Sequence, residues 1–123
     1  MNTSEGAAEN SPELPALCTH EILSASDLFY VHFDERGRSV TLGFSRAHGT
    51  EGFEFYLRFP DVRDVRVRGW GAPGRKDVHV ERAPDGTVQV SASSDGSSLR
   101  FRAADATLSR TRDFASAAQG PCP

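Results

Sequence analysis

The sequence predicts an all-β protein: an antiparallel meander of about eight short strands, folded as a sandwich or a partly closed barrel. Three observations lead there. Apolar and polar residues alternate with period two in segment after segment, which puts one set on each face of a strand. The connections are only about two to six residues long, whereas a parallel crossover needs a dozen or more. Heptads, a long internal repeat and a convincing amphipathic helix are all absent from the sequence.

Residues 1–16 are small and polar, with Pro12 and Pro15, and read as a disordered tail. Leu17 to Leu23 fits either a short strand or a turn of helix. Residues 28–33, Leu-Phe-Tyr-Val-His-Phe, read as a strand covered on both sides. Asp34-Glu35-Arg36-Gly37 is a turn, with Gly37 available for positive φ. Val40, Leu42 and Phe44 alternate through the next strand, and Ala47 to Gly52 reads as a loop.

The central segment, residues 53–70, has the strongest pattern. Phe53, Phe55, Leu57 and Phe59 share one face against Glu54, Tyr56 and Arg58. Pro60-Asp61 stops that strand. Val65 and Val67 resume the alternation with Arg66 and Arg68 opposite, and Val62 is out of step, so a turn or bulge is expected near Arg63-Asp64. Gly69-Trp70-Gly71 ends the strand. Val78 and Val80 mark another, Pro84-Asp85-Gly86 a hairpin turn, and Val88 and Val90 its far side. Ser94-Asp95-Gly96 leads to Leu99 and Phe101. Leu108 and Phe114 sit in a weaker strand over residues 107–114. Residues 17–114 thus form one domain, and residues 115–123 a flexible tail.

The expected inward set is Phe29, Val31, Phe33, Val40, Leu42, Phe44, Phe53, Phe55, Leu57, Phe59, Val65, Val67, Val78, Val80, Val88, Val90, Leu99, Phe101, Leu108 and Phe114. It uses all eight phenylalanines. Little apolar material would remain for a large ligand cavity.

Charge excludes little but qualifies much. The net −3 comes from Glu5, Glu9 and Glu13: without them the 17 acidic residues fall to 14, equal to the 14 basic ones. A neutral body gives no electrostatic case for nucleic acid. Arg66, Arg68, Arg100, Arg102, Arg110 and Arg112 should project outward, but Glu54, Asp64, Glu81 and Asp113 interleave them. No run approaches the ~18–20 apolar residues of a membrane span. No basic region followed by an apolar one opens the chain, so a secretory signal is not expected and a cytoplasmic location is. Cys18 and Cys122 fit reduced thiols there, with a tie between the two ends as the alternative.

Catalytic and metal constellations are equally sparse. His20, His32, His48 and His79 form no H-x-H or H-x-x-x-H pair, and Cys-x-x-Cys is absent; His32 and His79 could meet only through tertiary packing. No metal or other cofactor is expected. There is no Gly-x-Ser-x-Gly elbow. Gly69-x-Gly71-x-x-Gly74 has dinucleotide-fingerprint spacing, but it precedes a strand, not a helix. The expectation is a protein that is not an enzyme. Protein recognition remains: Trp70, Tyr56, Arg58, Arg66 and Arg68 have the composition of interface anchors. A Trp after a strand can equally plug the end of a sandwich.

Residues 28–37 with Ser39-Val40-Thr41-Leu42-Gly43-Phe44 resemble the first hairpin of the immunity protein 50 family, whose members are encoded beside bacterial polymorphic toxins. Residues 53–59, Val62, Val65-Arg66-Val67 and Gly69-Trp70 resemble that family's middle, and the Ser-Asp-Gly turn with Leu99-Arg100-Phe101 and Ala103-Ala104 its later part. The resemblance spans residues 17–114. It implies a non-catalytic immunity protein that binds and neutralises a cognate toxin; exposed edge strands leave a monomer or weak homodimer as the expected state. The alternative is a small β module with an unrelated protein or small-molecule partner. One departure stands out: residues 47–52 replace a longer loop carrying a Pro and a Trp.

Overall fold

The computed structural model describes residues 14–48, 51–69 and 74–115. Among these residues the fold is all-β, with nine antiparallel strands in two sheets and a helical entry. A 3-10 turn (Ala16–Cys18) leads into one short helix, α1 (His20–Ser24). The strands are β1 (Asp27–Asp34), β2 (Ser39–His48), β3 (Glu51–Phe59), β4 (Arg63–Arg68), β5 (Gly74–Arg75), β6 (Asp77–Arg82), β7 (Val88–Ser94), β8 (Ser97–Ala103) and β9 (Thr107–Ala115). One sheet runs β5-β1-β2-β3-β9 and the other β4-β8-β7-β6. Both keep free edges, so the architecture is a sandwich and not a closed barrel.

β1-β2-β3 and β6-β7-β8 are meanders of consecutive antiparallel strands, and three further strands join them from elsewhere in the chain. β4 crosses to the second sheet and pairs with β8, β5 returns to the edge of β1, and β9 returns to β3. The segment Leu17–Leu23 is helical, with Thr19 Oγ1 accepting from Ile22 N at 3.2 Å as an N-cap. The β2–β3 pairing runs out to His48 and Glu51, so the expected loop is mostly strand. In the first turn it is Arg38, not Gly37, that takes positive φ, at 52°. The irregularity near Arg63-Asp64 is present: Asp64 has φ 58° and the β4–β8 register shifts between Arg63 and Arg66. Gly69 has φ 55° and passes directly over the Gly96 carbonyl, where a Cβ would collide with that oxygen. Of the expected tails, 1–16 and 115–123, residues 1–13 and 116–123, with Cys122, lie outside the described residues, whereas Ala16 belongs to the 3-10 turn and Ala115 to β9. Leu14 and Leu17, at the start of the described chain, pack against the core.

The core lies between the sheets. Phe44 and Phe55 stack at 5.2 Å between ring centres, and Phe59 meets Phe101 of the other sheet edge-on, also at 5.2 Å. Leu42, Leu57, Val40, Val78, Val88 and Leu99 complete the dry layer. Cys18, a free thiol, is buried in the same cluster.

Five of the expected inward residues are not inside, Phe29 among them. Phe33, Val65, Val67 and Leu108 remain 42–49% exposed. Alternation assigns a face, but only an opposing sheet can cover it, and β4, β9 and the far end of β1 lie at edges. Val31, Phe53 and Phe29 are half-buried, and Phe114's side chain lies outside what is described. Phe29 is displaced by a bulge between Leu28 and Tyr30. That single extra residue puts Leu28 in the core and turns Phe29 onto the outer surface.

Candidate functional site: two outer faces

Each sheet has an outer face, and the cross-strand registers define both. On the five-stranded sheet one row reads Tyr30–Gly43–Tyr56–Arg110. Gly43 makes the row possible: a Cβ there would lie 2.7 Å from Tyr56 Cε2 and 2.9 Å from Tyr30 Cβ. The two tyrosine rings close over the glycine edge to face, 5.7 Å apart. Phe29 adds a third ring 5.9 Å from Tyr56. The Arg110 guanidinium carbon lies 4.5 Å above the Tyr56 ring, in cation–π geometry. Tyr56 Oη donates to Glu54 Oε1 at 3.3 Å, and Arg112 Nε approaches the same oxygen at 3.8 Å. Tyr56 is thereby buried, whereas Tyr30 stays 41% exposed. The neighbouring row, His32–Thr41–Arg58–Thr107, brings Arg58 alongside.

The four-stranded sheet presents a different surface. Its middle row reads Arg66–Arg100–Ser91–His79, flanked by Arg63–Arg102–Gln89–Glu81 and Arg68–Ser98–Ser93–Asp77. The middle row, with Asp64 and the Arg102–Gln89–Glu81 part of its neighbour, lines an open trough of about 600 Å³. Arg66, Arg100 and Arg102, with Asp64 among them, line the β4 and β8 side, and Glu81 and His79 the β6 side. Asp64 pairs with Arg102 at 3.3 Å. A smaller apolar groove of about 240 Å³ opens between the edges of β1 and β4, lined by Val31, Phe33, Val67 and Leu99.

The five anchors expected from the sequence therefore do not form one surface. Tyr56 and Arg58 belong to one outer face and Arg66 and Arg68 to the other, because β3 and β4 lie in different sheets. Trp70 lies outside the described residues. The six alternating arginines divide likewise, four on the second sheet and Arg110 and Arg112 on the first. Tyr30, Phe29 and Arg110 were missed as site residues. For Phe29 the bulge is the reason, and for Arg110 the pairing of β9 with β3.

The histidines also group unexpectedly. His20, from α1, and His79, from β6, stack with ring centres 4.1 Å apart and planes 15° from parallel. Both approach one carboxylate oxygen, Asp77 Oδ1, through Nε2, at 2.8 and 3.3 Å respectively. The hydrogen bond from His20, reinforced by His79, holds the Asp77 carboxyl below its ordinary range. His32 lies on the other sheet and takes no part. Among the described residues no helix is long and apolar enough to cross a membrane.

Comparison with known proteins identifies no relative: no family model, no curated protein and no solved structure matches the chain.

Proposed function

We propose that the protein is a non-catalytic recognition module that grips one protein partner through the outer face of the five-stranded sheet. The partner we propose is a bacterial toxin encoded beside it, which makes this chain its immunity protein. The supporting observation is the Tyr30–Tyr56–Arg110 cluster with Arg58 beside it: aromatic rings backed by a glycine and flanked by guanidinium groups. Tyr and Arg are enriched among residues that carry binding energy, and rings already packed lose little entropy on docking. The pattern resemblance to immunity proteins supplies the biological setting.

Co-expression with the neighbouring toxin tests the reading. The wild-type chain is expected to preserve growth and to co-elute with the toxin. Tyr30→Ala and Arg58→Glu are expected to weaken the complex, each by about tenfold or more. Unprotected growth arrest together with the absence of a complex would reject the proposal. The alternative, a β module with an unrelated protein or small-molecule partner, draws on the trough of about 600 Å³ over the second sheet. It predicts that Arg66→Ala and Arg100→Ala abolish partner capture while Tyr30→Ala leaves it intact.

A further inference from the structure

We propose that His20, Asp77 and His79 form a binding site for one divalent transition-metal ion, with Zn²⁺ the best fit. The donor set is two imidazole nitrogens and one carboxylate oxygen. Borderline ions such as Zn²⁺, Co²⁺ and Ni²⁺ take this mixture, whereas Mg²⁺ and Ca²⁺ favour shells built of oxygen.

Geometry carries the proposal further than composition. The three candidate ligand atoms all lie within 4.8 Å of one another. In a tetrahedral zinc shell with bonds of about 2.0–2.1 Å, neighbouring donors are about 3.3 Å apart. His79 Nε2 already stands 3.3 Å from Asp77 Oδ1, and His20 Nε2 stands 2.8 Å from it. The donor spacing already suits an ion; to bind it, the two rings must tilt out of their stack so that both Nε2 lone pairs converge, and three metal bonds then replace the contacts to Asp77. The near-parallel stack at 4.1 Å holds the imidazoles face to face, and both Nε2 atoms approach the same carboxylate oxygen.

The scaffold is fixed on both sides. Asp77 and His79 alternate on β6, so their side chains emerge on one face. Val78, between them, is buried, and its backbone N–H donates to Ser24 Oγ of α1 at 3.0 Å. Leu23 of α1 is fully buried, which anchors the helix that carries His20. The ligand side chains themselves stay 43–60% exposed, so an ion can enter and solvent can complete its shell. The ion would tie α1 to the free edge of β6. This site is independent of the aromatic face on the other sheet, so either proposal can fail without the other.

The test uses the full chain, stripped by a chelator and titrated with Zn²⁺ by calorimetry, with Mg²⁺ as the control ion. One Zn²⁺ per chain and no Mg²⁺ binding are expected. Co²⁺ should give the visible absorption of a tetrahedral N/O site. His20→Ala, Asp77→Asn and His79→Ala should each weaken Zn²⁺ binding by at least the ~10-fold typical of losing even an outer-shell partner. His32→Ala should leave it unchanged. Zinc should raise the melting temperature of the wild-type chain and not of the triple variant. Circular dichroism of the triple variant establishes that it folds. Absence of saturable Zn²⁺ binding to the wild type, or equal binding by the folded triple variant, would overturn the proposal.

Discussion

The middle rows of the two outer faces are built alike and end differently. Tyr30–Gly43–Tyr56–Arg110 and Arg66–Arg100–Ser91–His79 each cross four strands, and each places one of the smallest residues at an inner position. Over Gly43 two rings fold inward and an arginine closes above them. Over Ser91 the flanking Arg100 and His79 leave an open trough, because neither an extended guanidinium nor a single imidazole fills it. A small residue in a sheet thus creates room, and its neighbours decide whether that room becomes packed structure or accessible surface. The first face is a second, minor core; the second is solvated.

That contrast can be broken by substitution. The largest effect is expected at Tyr56. Tyr56→Ala removes a buried ring on which Phe29, Tyr30 and Arg110 all rest, and should cost about 3 kcal/mol in denaturant unfolding. A cost below about 1 kcal/mol would show that the ring layer adds no packing. Next comes the interior itself. Burial pushes the Cys18 thiol up from its ordinary 9.0 to about 11. Because the folded value is the higher, the unfolded chain releases its proton first as pH rises. Stability from this group is then intact below pH 9 and should fall by roughly 2–3 kcal/mol by pH 11, an effect that Cys18→Ala abolishes in parallel pH titrations of unfolding.

Gly43→Ala sharpens the comparison further. The added methyl meets Tyr56 and the Cβ of Tyr30, and the latter cannot swing away, so about 1–3 kcal/mol should be lost. Ser91→Ala, the matching change on the other face, should fall within about 0.5 kcal/mol of wild type. Smallest of all, Arg100→Ala should leave the unfolding midpoint essentially unmoved, since exposed charges contribute little to stability. A large loss at Arg100 would mean the trough is held by its charges and is not merely lined by them.

The fold class was legible because alternation is a local signal. Phe53 to Phe59 assigned their own faces, Pro84-Asp85-Gly86 marked its turn, and Asp64 marked its bulge. Topology was less so: nothing in the short link after Phe59 says that Arg63 begins a strand in the other sheet. Edges were illegible for the same reason. Val65 and Val67 alternate as well as Leu57 and Phe59 do, but among the described residues β4 is an edge strand and both valines stay exposed. The site suffered most, since it depends on partners far apart in the chain. Asp77 and His79 stood two residues apart in plain view, whereas His20, 57 positions before Asp77, was unconnected to them until α1 met β6. Phe29 was misplaced by one inserted residue, which no periodicity could reveal.

Ser24 has a wider effect than its size suggests. Its hydroxyl accepts from the Val78 N–H at 3.0 Å and donates to the Val78 carbonyl at 3.4 Å, answering both backbone groups that Val78 turns away from β7. One alcohol imitates the peptide of an absent fifth strand. A foreign β segment seeking to zip on at Val78 would find that docking point taken and would have to evict the helix first. Strand addition at the Val78 end of this flank is therefore opposed by an ordinary serine.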